Sequence, residues 1–246
     1  MKYLIVSGDS FTDSWFESIY YPDMDCSWPK WPEILAEKLG MELINLGRGG
    51  AGNKYIYTEL LDTIMGIENK SEIGLIISAW TQSNREDYQV RGKWHRRKVH
   101  AHGDIVGWVN TSLRYYTGLQ LLCERYNLPY YQFQMIDFYH TYINNFREKE
   151  DDGFYHKKYT GDIVQDKNLI LNTLNAYDKI DVNTFIGWPI TKELGGFAMS
   201  DLILGDRLEY PENRIADLDQ HPNELGQQKL AEGIYAKINK LSGGNI

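Results

Sequence analysis

The stretch "LIVSGDSFTDSW", Leu4 to Trp15, decides the fold. Its apolar, β-branched beginning continues "KYLIVS" (Lys2 to Ser7), a short run with no polar alternation, as a strand buried on both faces of a parallel sheet requires. The run stops abruptly at Gly8-Asp9-Ser10, and a second small polar cluster follows. Two readings of that stop are open. One is a turn or helix start near Phe11, capped by Asp9 or Ser10. The other is a hydroxyl nucleophile, Ser10, held at the rim of a sheet.

Working outward from this strand, the chain alternates. "WPEILAEKLG" (Trp31 to Gly40) predicts a helix with Pro32 in its first turn, Ile34, Leu35 and Leu39 on one face, and Gly40 as its stop. "MELINLG" (Met41 to Gly47) predicts a second strand, and "NKYIYTELLDTIMGI" (Asn53 to Ile67) a helix after a glycine-rich turn. "IGLIISAW" (Ile73 to Trp80) reads as a third strand, "TSLRYYTGLQLLCERYN" (Thr111 to Asn127) as a helix, and "YYQFQMI" (Tyr130 to Ile136) as the next strand. A weaker helix is expected over Asn168 to Ile180, a last strand over Asn183 to Trp188, and an amphipathic terminal helix over Pro222 to Leu241. This order predicts an α/β fold with an open parallel sheet and helices on both faces. A single domain over 1–246 is expected, interrupted by polar, aromatic inserts at about 85–110 and 137–167. Inserts of that length in a compact domain usually serve function.

Composition narrows the function classes. The formal net charge of -8 argues against a general nucleic-acid binder. One basic stretch, "RGKWHRRKVHAHG" (Arg91 to Gly103), reads as a solvated loop or subunit contact. Cys26 and Cys123 lie far apart without metal-ligand spacing and read as free thiols. His100 and His102 lack a third ligand at a convincing spacing, so surface histidines are expected and no metal or other cofactor is. Met1 to Ser7 does not read as a signal peptide, and no stretch approaches the ~18 apolar residues of a membrane span. The expectation is a soluble, cytoplasmic protein, with release by lysis or in a larger particle left open. No membrane partner is expected, and oligomeric state is left open. Aromatic residues make up 13% of the chain, a surplus that suits core packing or the flat faces of a carbohydrate site.

In an open α/β sheet, sites form beyond the carboxyl ends of the strands. Four polar segments reach that rim: Ser10, "GRGGAGN" (Gly47 to Asn53), "TQSNR" (Thr81 to Arg85), and "DLDQHPN" (Asp217 to Asn223) before the last helix. Acyl transfer requires a hydroxyl, a histidine to take its proton, an acid to orient the histidine, and donors for the oxyanion. Ser10 can be the hydroxyl and His221 the base. Asp219 or Asp217 can orient the ring, and the backbone N–H groups of Ser10 and Gly50 can point into the site. "GRGGAG" follows the second strand instead of opening a βαβ unit, so a dinucleotide loop is discounted.

Three of these stretches, "SGDS", "NLGRGGAGN" and "DQHPNELG", resemble in content and order the sequence blocks of the GDSL/SGNH hydrolase family. The resemblance spans nearly the whole chain. It implies a flavodoxin-like three-layer α/β/α sandwich and hydrolysis of esters: lipids, acyl thioesters or acetylated carbohydrates. It implies Ser10 as nucleophile and first oxyanion donor, Gly50 as the glycine of the second block counted from Asn45, and His221 as general base. Two departures stand out. The third block, normally GxND, is replaced by "LIISAWTQSNRED", which puts Trp80 at the glycine and Gln82 at the oxyanion-binding Asn, with Asn84 as the alternative. The acid is normally three residues before the histidine, where this chain has Leu218. Asp219 is preferred over Asp217. The expected function is a serine esterase acting on acetyl or other short acyl groups of a small-molecule or glycan ester. The rival is a catalytically weak or inactive glycan-binding or viral structural module of the same fold, in which Ser10 Oγ and His221 Nε2 would be widely separated.

Overall fold

The computed structural model describes residues 1–97, 105–138, 179–190, 195–205 and 210–244. Five parallel strands form its central sheet: β1 (Tyr3–Ser7), β2 (Glu42–Asn45), β3 (Ile73–Trp80), β6 (Tyr130–Gln134) and β7 (Phe185–Ile186). Their spatial order is β2-β1-β3-β6-β7. β1 pairs with β2 on one side (Ile5 opposite Ile44) and with β3 on the other (Ile5 opposite Ile76). The chain thus steps outward from β1 to β2 and then crosses back past β1 to β3. That reversal leaves a crevice between the ends of β1 and β3, where α/β folds place their ligands.

Alternation along the buried strands sorts side chains into two cores. Leu4, Val6, Leu75, Ile77, Ala79 and Phe133 face α1 (Trp31–Leu39), α4 (Met199–Leu204) and α5 (Glu224–Leu241), meeting Trp31, Leu35, Met199, Leu230 and Ile234. Ile5, Ile76 and Trp80 face α2 (Asn53–Gly66) and α3 (Ile105–Tyr126), meeting Ile56, Leu60, Leu113, Tyr116 and Leu119. Each of these fully buried aliphatic side chains adds roughly 1.5–3 kcal/mol of transfer free energy. The result is the expected three-layer α/β/α sandwich on a parallel sheet.

Several boundaries differ from the sequence expectation. α3 begins at Ile105, not Thr111, and β7 spans only Phe185–Ile186. The first part of the insert at 85–110 is a hairpin of β4 (Glu86–Val90) and β5 (Lys93–Arg97), not a loop. The "DLDQHPN" segment is likewise part of a hairpin, β8 (Arg214–Ala216) and β9 (Asp219–Pro222). Pro222 therefore ends a strand. The terminal helix starts at Glu224, where the Asn223 side chain accepts from the Gly226 N–H at 3.0 Å. His100, His102, the second insert from residue 139 onward, and the helix expected over Asn168 to Ile180, apart from its last two residues, lie outside the described residues. Cys26 and Cys123 are both buried free thiols. Among the described residues, no helix is long and apolar enough to cross a membrane, and no three metal-ligating side chains cluster.

Candidate active site

β1 ends at Ser7, and the chain reverses at once. The Asp9 carbonyl accepts from Thr12 N at 2.9 Å and from Asp13 N at 3.1 Å, while Asp9 Oδ1 accepts from Phe11 N at 3.1 Å. Asp9 thus closes a turn on itself, and no helix starts at Phe11. Gly8 is needed for close approach: a Cβ there would sit 2.2 Å from Thr12 Oγ1. Asp9 is fully buried, and its Oδ2 accepts from Thr81 Oγ1 at 2.7 Å and pairs with Arg85 Nη1 at 3.1 Å. The acid beside the candidate nucleophile therefore ties the end of β1 to the loop after β3, across the crevice.

That second loop has its own frame. Asn53 Oδ1 accepts from Thr81 N at 2.9 Å, Asn53 Nδ2 donates to Thr81 O at 3.1 Å, and Gln134 Nε2 donates to the same carbonyl at 2.7 Å. Trp80, which stands where the third family block has glycine, is fully buried. Its ring lies 4.5 Å from that of Tyr116, and its Nε1 donates to Gln132 Oε1 at 3.0 Å. Gln82 is half-buried and Asn84 is 3% exposed, both in the turn that follows.

Ser10, projecting from the turn, meets His221 of β9: Oγ and Nε2 are 2.8 Å apart. His221 Nδ1 lies 2.5 Å from Asp219 Oδ1, which also accepts from the His221 backbone N–H at 3.1 Å. Alternation on β9 sends the side chains of residues 219 and 221 to the same face, so the two-residue spacing suffices. Asp217 does not take this place; its carbonyl accepts from Gln220 Nε2. Burial of Asp219 would raise its pKa. Hydrogen bonds from the His221 ring, the Ser18 hydroxyl and the His221 N–H outweigh that and hold the carboxyl at about 2. An ionised carboxylate only accepts, so Nδ1 carries the ring proton and Nε2 presents its lone pair to the Ser10 hydroxyl. The imidazole is flanked by Phe16, at 4.3 Å between ring centroids, and Phe11, at 5.2 Å.

The glycine-rich loop lies alongside. The Arg48 N–H donates to Gly8 O at 3.1 Å and Gly49 N–H to Asp13 Oδ2 at 2.7 Å, binding this loop to the Ser10 turn. Ala51 N–H closes a turn on Arg48 O at 3.0 Å, and Gly50 occupies it with φ 71°. Arg96, from the hairpin, donates to the carbonyl of Gly49. Gly49 C=O and Gly50 N–H belong to one trans peptide, so they point in opposite directions. The same hairpin is moored by Asp87, whose carboxylate accepts from the N–H groups of Gly52 (3.0 Å) and Tyr55 (2.9 Å) at the start of α2. Burial raises the Asp87 pKa, against the pull of those N–H groups and of Arg48 and Arg85.

Of the residues singled out in the sequence, Ser10, His221 and Asp219 are joined by hydrogen bonds. Gly50 and Gln82 lie in neighbouring rim loops without a hydrogen bond to the three. Sequence reading missed Phe11, Phe16 and Ser18, all within the segment that follows the nucleophile, and Arg96 in the basic stretch.

No family model matches the sequence, and no curated protein matches it. Solved structures do resemble it in fold. TesA superposes with a TM-score of 0.50 at 11% identity, over 98% of this chain and 99% of that one. A candidate lipolytic protein of the G-D-S-L family from Desulfitobacterium hafniense DCB-2 gives 0.49 at 14% identity, over 96% and 99%. The psychrotrophic esterase EstA from Pseudoalteromonas sp. gives 0.48 at 14%, over 99% and 100%. The likeness to TesA extends over essentially the whole of both chains, and what it establishes for this protein is its fold.

Proposed function

We propose that the protein is a serine ester hydrolase, with Ser10 as nucleophile, His221 as general base and acid, and Asp219 as the group that orients the imidazole. The observation that carries this reading is the unbroken relay from Ser10 Oγ through His221 to Asp219, at 2.8 and 2.5 Å. His221 Nε2 takes the hydroxyl proton as Oγ attacks the ester carbonyl. The N–H groups of Ser10 and Gly50, with the side-chain amide of Gln82 or Asn84, hold the oxyanion. His221 then protonates the leaving alcohol, and water repeats the sequence on the acyl-enzyme. A module that binds without turnover has no need of this spacing, and its expected wide separation of Ser10 from His221 is not what the geometry supports.

The substrate favoured here is an acetyl or other short acyl ester of a carbohydrate. Two features support it. Phe11 and Phe16 crowd the imidazole. Trp15 (90% exposed) and Tyr20 (54%) stand on the nucleophile's own loop, offering flat faces of the kind sugar rings stack on. The test is acetate release from acetylated oligosaccharides, compared with hydrolysis of long-chain acyl esters. Preference for the acetylated sugars is expected; faster cleavage of the long-chain esters overturns the substrate assignment.

A further inference from the structure

The two-residue spacing between acid and base has a consequence at the other carboxylate oxygen. Asp219 Oδ1 is fully occupied by His221, taking both the ring Nδ1–H and the backbone N–H. Oδ2 is turned inward on a residue that is 1% exposed. A buried carboxylate oxygen without a donor is costly, and a carboxylate held at one oxygen alone can swing about its Cβ–Cγ bond. In this chain the donor is Ser18, 3% exposed, whose Oγ lies 2.5 Å from Asp219 Oδ2. The direction of that bond is fixed. Asp219 is ionised and can only accept, and Ser18 Oγ itself accepts from Tyr21 N–H at 3.1 Å, so the hydroxyl proton is committed to Oδ2.

Ser18 belongs to the same segment as the nucleophile. From Ser10 the chain places Phe11 and Phe16 on the imidazole, then delivers Ser18 to the acid. One continuous stretch thus touches both the base and the orienting acid, which sit together on β9 of the β8–β9 hairpin. The stretch is itself pinned. Asn45 Nδ2 donates to Thr12 O at 2.8 Å and to Ser14 Oγ at 2.7 Å, and Asp13 accepts from Gly49 N–H.

We propose that Ser18 is a positioning residue of the active site, locking the Asp219 carboxylate so that its Oδ1 holds His221 in the tautomer and orientation that face Ser10. The proposal rests on the esterase reading given above, but the contact it invokes can be tested without turnover. Ser18 does not touch substrate; it acts through Asp219.

The experiment compares wild type, Ser18→Ala, Asp219→Ala and the Ser18→Ala/Asp219→Ala double variant on p-nitrophenyl acetate, with melting temperatures alongside. Ser18→Ala is expected to lower kcat on the order of tenfold, the rate equivalent of one charge-assisted hydrogen bond, with KM within about twofold of wild type. In the Asp219→Ala background, where no side-chain acceptor is left at position 219, the same change is expected to cost nothing further. In parallel, the proton NMR resonance of the His221 Nδ1–H is expected to move or broaden in Ser18→Ala. An unchanged kcat in Ser18→Ala, an equal loss in both backgrounds, or an unmoved Nδ1–H resonance overturns the assignment. A wild type that hydrolyses no ester contradicts the esterase reading instead, and the resonance then still decides whether Ser18 holds Asp219.

Discussion

His221 Nε2 lies 2.8 Å from Ser10 Oγ across 211 positions of sequence. Two short devices bring them together: the Asp9 turn that ends β1 and the β8–β9 hairpin that precedes the last helix. The first is tied to the loop after β3 through Asp9, and the second to the end of α4 through Arg214, whose Nη2 donates to Gly205 O at 2.8 Å.

Asp219 should behave as an orienting acid. Asp219→Asn presents an amide where a carboxylate accepted, and favours the wrong imidazole tautomer. The expected loss in kcat is on the order of 10⁴-fold with little change in KM, by analogy with the same change in serine proteases. Steady-state kinetics at neutral pH checks it.

Asp219 also predicts a pH dependence of stability. Its carboxyl is held at about 2 in the fold, against 3.8 for the free group. A carboxyl depressed on folding stabilises the native state above its unfolded pKa, and that contribution is lost as pH falls through the folded one. Wild type should therefore lose stability between pH 3.8 and about 2 more steeply than Asp219→Asn. Denaturant titrations across that window measure the difference in slope.

A side chain at Gly50 should cost both stability and rate. Its φ of 71° is a left-handed conformation, and an added Cβ would lie 1.8 Å from Arg96 Nη1. Gly50→Ala is expected to cost about 1–2 kcal/mol in stability from the backbone alone. It should also shift the peptide whose N–H is proposed as the second oxyanion donor, lowering kcat by up to ~10²–10³. Chemical denaturation and kinetics on the same preparation report the two effects separately.

Arg85 is expected to matter for folding more than for rate. It pairs at 3.1 Å with the fully buried Asp9 carboxylate and donates to Ala51 O at 3.1 Å, spanning β1, the glycine loop and the loop after β3. Arg85→Met leaves a buried charge with only neutral donors. Breaking such a pair costs about 3–5 kcal/mol. A fall in the denaturation midpoint of that order is the expected outcome.

Much of this was legible in the sequence because the signals were local. "IGLIISAW" is apolar and rich in isoleucine apart from Ser78, and it forms β3 at the expected bounds, Ile73–Trp80. "WPEILAEKLG" carries its own start and stop, and α1 ends at Leu39 with Gly40 as its C-cap. Other features left weak or distant signals. The β4–β5 hairpin turns on Arg91-Gly92, both at positive φ (51° and 76°), where Asn-Gly would have announced the turn. Pro222 looked like a helix start, but pairing with Arg214 makes it the end of β9. Ser18 lies 201 positions from Asp219, and no spacing rule links the two. Trp80, in place of a glycine, reads in the sequence as a defect of the third block; in the fold it fills the space under Tyr116.

The most direct test of the central claim is p-nitrophenyl acetate hydrolysis by wild type and Ser10→Ala, purified side by side and matched for melting temperature. Saturable turnover by wild type that falls to the buffer rate in Ser10→Ala is the predicted result. Equal rates in the two proteins would contradict the assignment of Ser10 as nucleophile, and with it the reading of the protein as a serine esterase.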